Sequence, residues 1–208
     1  MYRRVIDYLN KKEYLYSRQY GFRAGHSCEH ALLDAQSTIA KTLEKKETAL
    51  LLLIDFSKAF DMVDHELLLQ KLMHCGIRGA AYLWFKSYLS CRKQFVSLNG
   101  ASSDVGKLEH GVPQGSILGP LLFLIYINDM PNIIPGAHFI LYADDANIII
   151  TGKTIKEIDE KLELLLPKLK NWVRFSMLKL NTTKTKYMLI SNSINPVSYT
   201  HLTLPTKA

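Results

Sequence analysis

Ile140-Leu141-Tyr142-Ala143-Asp144-Asp145-Ala146-Asn147-Ile148-Ile149-Ile150 decides how the rest of the chain is read. Aliphatic, largely β-branched runs on either side of an acidic centre predict a strand that ends, turns and resumes as its own neighbour, with two carboxylates at the tip. Asp-Asp is also ordinary turn chemistry, so the tetrapeptide alone leaves a plain hairpin tip open. Electrostatics favours more than a plain tip. Adjacent like charges repel, and a partly desolvated carboxylate needs a counter-charge. A hard divalent cation such as magnesium supplies one while keeping positions for water or substrate phosphates.

A second acid of the same kind points the same way. Ala49-Leu50-Leu51-Leu52-Leu53-Ile54-Asp55 is an unbroken apolar run ending in one carboxylate, which reads as a strand buried on both faces. A central strand delivering Asp55 beside a hairpin delivering Asp144 and Asp145 suits a two-metal site. There, ions about 3.5 to 4 Å apart hold the attacking and leaving oxygens of a phosphoryl displacement.

Composition bounds the alternatives. At 208 residues the chain supports one substantial core, or one domain with an appended subdomain. With 48% hydrophobic and 22% charged residues it is globular in composition. No apolar stretch reaches the roughly 18 residues of a membrane span, since Ile117 to Ile127 is interrupted at Gly119-Pro120, so no membrane partner is expected. Arg3, Arg4 and Asp7 exclude a signal-peptide core, and Cys28, Cys75 and Cys91 read as reduced thiols of an intracellular protein. The net charge of +7 is uneven: from Lys161 onward eight Lys and Arg face one acid, Glu163, whereas residues 1 to 160 balance. That asymmetry predicts a surface for a polyanion, with a solvated helix face as the plain alternative.

Along the chain, residues 1 to 48 read as loop and helix, with helical spacing of Ala31, Leu32, Ala35, Ile39 and Leu43. A helix follows Asp64, carrying Leu67, Leu68, Leu69 and Leu72. Another spans Ala80 to Leu89, with Tyr82, Trp84, Phe85 and Tyr88 expected in the core. Gln94 to Leu98 meets Asn99-Gly100 and returns through Val105 to Leu108, a hairpin. Gly111 to Ser116 opens a helix running to about Ile127. Thr154 to Glu157 caps an amphipathic helix with Pro167 as its expected kink, and Lys186 to Ser191 reads as an edge strand. The expected class is α+β, an antiparallel sheet with helices on one face. Gly152-Lys153-Thr154 is a helix cap and no phosphate loop, because position 147 is Asn. His26, Cys28 and His30 lack the second ligand pair of a zinc finger.

Taken together these segments resemble the reverse transcriptases of non-LTR (LINE-like) retrotransposons. Tyr20-Gly21-Phe22-Arg23 with His26-Ser27-Cys28 resembles the family's fingers motif. Leu53 to Asp61 with Val63-Asp64-His65 resembles its first catalytic motif, and Gly111 to Pro120 the second. Tyr142 to Asp145 resembles the third, and Leu180-Asn181-Thr182-Thr183-Lys184-Thr185 the fourth. The resemblance implies a right-hand polymerase palm with partial fingers and no thumb, and nucleotidyl transfer from dNTPs to a DNA primer on an RNA template. It implies two magnesium ions, with manganese as substitute. Asp55 and Asp144 would ligate both, with Asp145 in support and the Phe56 carbonyl a further ligand. Arg23 would hold the triphosphate, and Phe60 would stack under the sugar and reject a 2′-hydroxyl. Gln114 and Gly115 would lie against nucleotide and template base, and Lys184 would serve as candidate general acid. Taken alone, Phe60 reads as a core aromatic and Lys184 as a solvated lysine.

Against the family pattern nothing after Lys186 resembles a primer-gripping turn or thumb. The expectation is a piece of a longer polymerase: partial fingers at 1 to 48, palm at 49 to 190 with fingers elements inserted at about 67 to 115, and a tail at 191 to 208. Asn195 to Ala208, rich in Thr, Ser and Pro, is expected to be disordered or non-native. The rival readings are a catalytically dead remnant that binds RNA or DNA through its basic C-terminal helix, and a group II intron or retron reverse transcriptase, which would share the same acids. A ribonucleoprotein in nucleus or cytoplasm is the expected location, and oligomeric state stays open.

Overall fold

The computed structural model describes residues 1–134 and 136–192; the tail expected at Asn195 to Ala208 lies outside the described residues. The elements in chain order are α1 (Tyr2–Lys11), α2 (Cys28–Glu44), β1 (Thr48–Ile54), α3 (His65–His74), α4 (Gly79–Leu89), β2 (Lys93–Gln94), β3 (Ser97–Leu98), β4 (Ala101–Ser102), β5 (Gly106–Lys107), α5 (Leu118–Ile127), β6 (His138–Tyr142), β7 (Asp145–Gly152), α6 (Ile155–Phe175) and β8 (Lys186–Ile190). They fall into two compact units, one of residues 1–15 and 58–127, the other of 16–57 and 128 onward. This partition cuts elsewhere than the expected fingers–palm boundary at 48, because α2, on the fingers side of it, packs on the sheet.

The sheet unit is built on a four-stranded antiparallel sheet of order β6-β7-β1-β8. β1 is interior and β8 is an edge, as the apolar and mixed sequences of the two strands predict. Leu51 pairs with Ile149 on one side and Met188 on the other. α2 begins at a Ser27 cap whose hydroxyl accepts from the His30 N–H at 3.3 Å. It lays Ala31, Ala35 and Ile39 on Ala49, Leu51, Ile140 and Ile149.

The opposite face, carrying Leu50, Leu52, Ile54, Ile148 and Ile150, is buried. α6 lies on that side, with Ile158 at Gly152 and the Trp172 ring 6.3 Å from that of Phe56. The packing departs from expectation at the helices, at β1 and at Pro167. The helices are divided between the faces and not confined to one, because β1 and β7 carry apolar residues on both. β1 is fully buried on one face only, since Leu51 and Leu53 line a groove that α2 leaves open. α6 runs without interruption through Pro167, which is exposed. Its capping box is shifted by one residue: Thr154 accepts from the Glu157 N–H at 3.2 Å, while Glu157 accepts from Lys153 at 2.9 Å.

In the helical unit, α5 is apolar all round and buried along nearly its whole length, and packs with α3 and α1. Asp64 caps α3, accepting from the Leu67 N–H at 2.8 Å. The expected hairpin closes tightly at Asn99-Gly100, both with positive φ. Its return begins at Ala101, opposite Leu98, and continues in Gly106–Lys107, which pair with Gln94 and Lys93 within the expected Val105 to Leu108 return. Of the α4 aromatics expected in the core, Phe85 is buried but Trp84 is 40% exposed and stacks on Tyr88 at 5.3 Å. Among the described residues no helix is long and apolar enough to cross a membrane.

Candidate active site

Strand register brings the acids together. Ile54 pairs with Ala146, so one step further Asp55 leaves β1 beside Asp145 at the start of β7, while Tyr142 pairs with Asp145 and leaves Ala143-Asp144 as a two-residue turn. Asp55, Asp145 and Lys184 line one groove of about 490 Å³, walled by Leu51, Leu53 and Tyr142 among others. Asp144 is half-buried in the turn and is not a lining residue of that groove. The Asp145 carboxyl is nonetheless pushed above the usual carboxylate range by burial first, then by the charges of Asp144 and Asp55, with Lys184 opposing. The three acids thus feel one another across the tip of the sheet.

Lys184 is held there by backbone. The Asn181 N–H donates to the Asp55 carbonyl at 2.8 Å, the Ser57 N–H donates to the Lys179 carbonyl at 2.8 Å, and the Asp55 N–H donates to Thr185 Oγ1 at 3.4 Å. The loop then turns on the Asn181 carbonyl, which accepts from Lys184 and Thr185. These ladder bonds fall on Asp55 and Ser57 and not on Phe56, whose ring is buried against Trp172. Sequence reasoning singled out Lys184 but missed Asn181 and Thr185 as the clamp. Their signals were turn-forming composition next to a strand and membership of the segment that resembles the fourth motif, neither of which assigns them a clamping role.

Segment 16–25 is the second support. The Tyr20 N–H donates to the Leu141 carbonyl at 2.8 Å and the Leu141 N–H to the Arg18 carbonyl at 2.9 Å, a short parallel pairing on the edge of β6. Asp34 of α2 gathers Arg18 at 3.4 Å, the Tyr20 hydroxyl at 3.0 Å and His138 at 3.1 Å. The Tyr20 phenol is raised to about 12 by burial and then by Asp34, and His138 is lowered chiefly by burial, with Asp34 opposing. Arg23, half-buried, donates through Nη1 to the carbonyls of Tyr16 at 2.9 Å and Gln19 at 3.2 Å; desolvation lowers its pKa. Gly21 packs against the turn itself: a Cβ there would fall on the Ala143 backbone nitrogen.

Phe60, Gln114 and Gly115 belong to the helical unit. Phe60 stacks on Phe123 with centroids 4.5 Å apart, Gln114 donates to Asp61 Oδ1 at 2.7 Å, and Gly115 has φ +81 in open space. Among the described residues no three Asp, Glu, His or Cys side chains are grouped to hold a metal ion. Magnesium does not require such a cage, because it is commonly held by one or two carboxylates with substrate phosphates completing its shell. Burial raises Asp145 first and the charges of Asp144 and Asp55 add to it, a combination that a divalent cation would offset.

The antiparallel sheet, with acids at one hairpin tip and one strand end, has the fold of a right-hand nucleic-acid polymerase. Solved structures agree in fold: telomerase of Candida tropicalis truncated from its C-terminal domain superposes with a TM-score of 0.67 at 16% identity, covering 93% of this chain and 41% of that one. The same telomerase with a fragment of its telomeric RNA gives 0.66 at 14% identity, covering 90% and 33%. The chain belongs to the reverse transcriptase (RNA-dependent DNA polymerase) family, whose profile matches residues 1–203. Among curated proteins it is similar to RNA-directed DNA polymerases of transposons and other mobile elements. It is 31% identical to the probable RNA-directed DNA polymerase from transposon BS of Drosophila melanogaster over 88% of this chain and 21% of that protein. It is 33% identical to the RNA-directed DNA polymerase from mobile element jockey of Drosophila funebris over 85% and 20%. The chain thus spans about a fifth of the length of these curated relatives.

Proposed function

We propose that this chain is the catalytic palm, with part of the fingers, of an RNA-directed DNA polymerase that adds dNTPs to a DNA primer on an RNA template. The observation that carries the reading is the meeting of Asp55 and Asp145 with Lys184 in one groove, Asp144 one residue away in the turn. Phosphoryl transfer asks for positioning and charge neutralisation more than for covalent help. Asp55 and Asp144, with Asp145 in support and the Phe56 carbonyl as a further donor, would hold two divalent ions, magnesium or manganese. The chemistry those ions supply is neutralisation of the attacking and leaving oxygens. Lys184, clamped through Asn181 and Thr185, would give a proton to the departing pyrophosphate. Arg23 would bind the triphosphate by turning from the Tyr16 and Gln19 carbonyls to a stronger, charged acceptor. Phe60 would police the sugar, and Gln114 and Gly115 would bear on the nucleotide and template.

The test is primer extension on an RNA template with dNTPs and magnesium, by this chain and by the polypeptide extended through its flanking reading frame. Asp55→Asn and Asp144→Asn each lower the rate by at least about 100-fold, the scale of a lost charge-stabilising group. Undiminished extension by either variant overturns the assignment.

A further inference from the structure

Gln19 is only 2% exposed, and its chemistry is not used by the polymerase reading. Its side-chain oxygen accepts from the Gly21 N–H at 2.9 Å and from the Ala143 N–H at 3.0 Å. Two donors on one oxygen fix which way the amide points. Its nitrogen is then left without a hydrogen-bond partner among the described residues. A buried donor in that state destabilises a fold, so the position calls for an explanation.

The explanation lies in the turn. Ala143 has φ +55, at the first central position of the two-residue loop between β6 and β7. That is a slot in which glycine is favoured and other L-residues are strained. Its N–H, in the loop and outside the strand ladder, needs an acceptor from elsewhere. A methionine at 19 would fill the space but accept nothing. A glutamate would accept but place another negative charge beside Asp144 and Asp145.

We propose that Gln19 is a positioning residue that holds Ala143 in its left-handed conformation and thereby sets how Asp144 and Asp145 leave the turn. It joins segment 16–25 to the candidate metal site through one amide. The consequence for metal binding rests on the polymerase reading of the acids; the consequence for the turn does not.

The two consequences are measured separately on the intact chain, by amide hydrogen exchange and by titration with Mn²⁺ followed by electron paramagnetic resonance. In Gln19→Met the Ala143 and Gly21 amides exchange about tenfold faster, the effect of losing one net hydrogen bond, while Ile149 in the middle of β7 keeps its protection. Mn²⁺ binding weakens about three- to tenfold. Adding Ala143→Gly, which removes the strain that Gln19 opposes, restores Mn²⁺ binding to within about twofold of wild type. Unchanged exchange at Ala143 in Gln19→Met overturns the proposal. So does a Gln19→Met chain that fails to fold and stays unfolded with Ala143→Gly, since Gln19 would then serve the core and not the turn. If Asp55→Asn binds Mn²⁺ as wild type does, the metal reading fails, while exchange at Ala143 still decides the role of Gln19.

Discussion

Asp145 carries a charge that its surroundings disfavour, and the sign of that effect is measurable. Its carboxyl holds a proton more readily in the folded chain than in the unfolded one, because of burial and then Asp144 and Asp55. Its contribution to stability is therefore intact below the ordinary carboxylate value, about pH 4, and is lost as pH rises through the elevated native value. Asp145→Asn is accordingly more stable than wild type at pH 7, by no more than about 1 kcal/mol because solvent screens these charges, and the gap closes below about pH 4. Thermal melts of both proteins from pH 3 to pH 8 without divalent ions check this; a gap that widens on acidification refutes it. Legibility at this scale followed chemistry. Asp55, Asp144 and Asp145 stood out because acids at strand ends have no packing reason to be there. Gln19 did not, because a polar residue before a Tyr-Gly turn carries no pattern, and its importance comes from a backbone N–H of Ala143 more than 120 positions later.

Elements with side-chain signatures were readable, and those made by backbone alone were not. The Ser27, Asp64 and Thr154 caps, the Asn99-Gly100 turn and the apolar period of α6 each leave a local mark. The parallel pairing of residue 19 with Leu141 leaves none, nor does the zipper between Asp55–Ser57 and Lys179–Asn181. The two kinds of element separate experimentally. Thr154→Ala removes a cap and lowers stability by about 1 kcal/mol with the primer-extension rate unchanged, because α6 begins at the far end of β7 from the acids. Gly21→Ala drives a Cβ onto the Ala143 backbone and destabilises by about 1 to 3 kcal/mol, yet it also lowers extension at least about tenfold by displacing the turn that carries Asp144 and Asp145. Chemical denaturation alongside single-turnover extension distinguishes them. Equal activity in the two variants at matched stability would remove Gly21 from the site's support.

At the scale of the whole molecule the family was legible from five motifs in order, whereas the division into compact units was not. α2 precedes β1 in sequence yet packs on the sheet, a tertiary choice that local periodicity does not encode. Charge was legible, because the excess of eight basic residues over one acid from Lys161 onward needs only counting. On α6, Lys161 is taken up by Glu157 at 2.7 Å, while Lys168, Lys170 and Arg174 stand exposed further along the helix. If that run meets a phosphate backbone, affinity for single-stranded RNA falls with salt with a logarithmic slope of about 0.7 per neutralised phosphate. Replacing Lys168, Lys170 and Arg174 together by Gln then flattens the slope by about 2, lowers affinity uniformly across RNA sequences and leaves thermal stability nearly untouched, since exposed charges contribute little to folding. Fluorescence anisotropy of a labelled RNA from about 50 to 200 mM salt reads it directly, spanning the range over which such contacts weaken most visibly. A triple variant with an unchanged slope would make this basic face a solvated one and assign any RNA binding to surfaces other than α6.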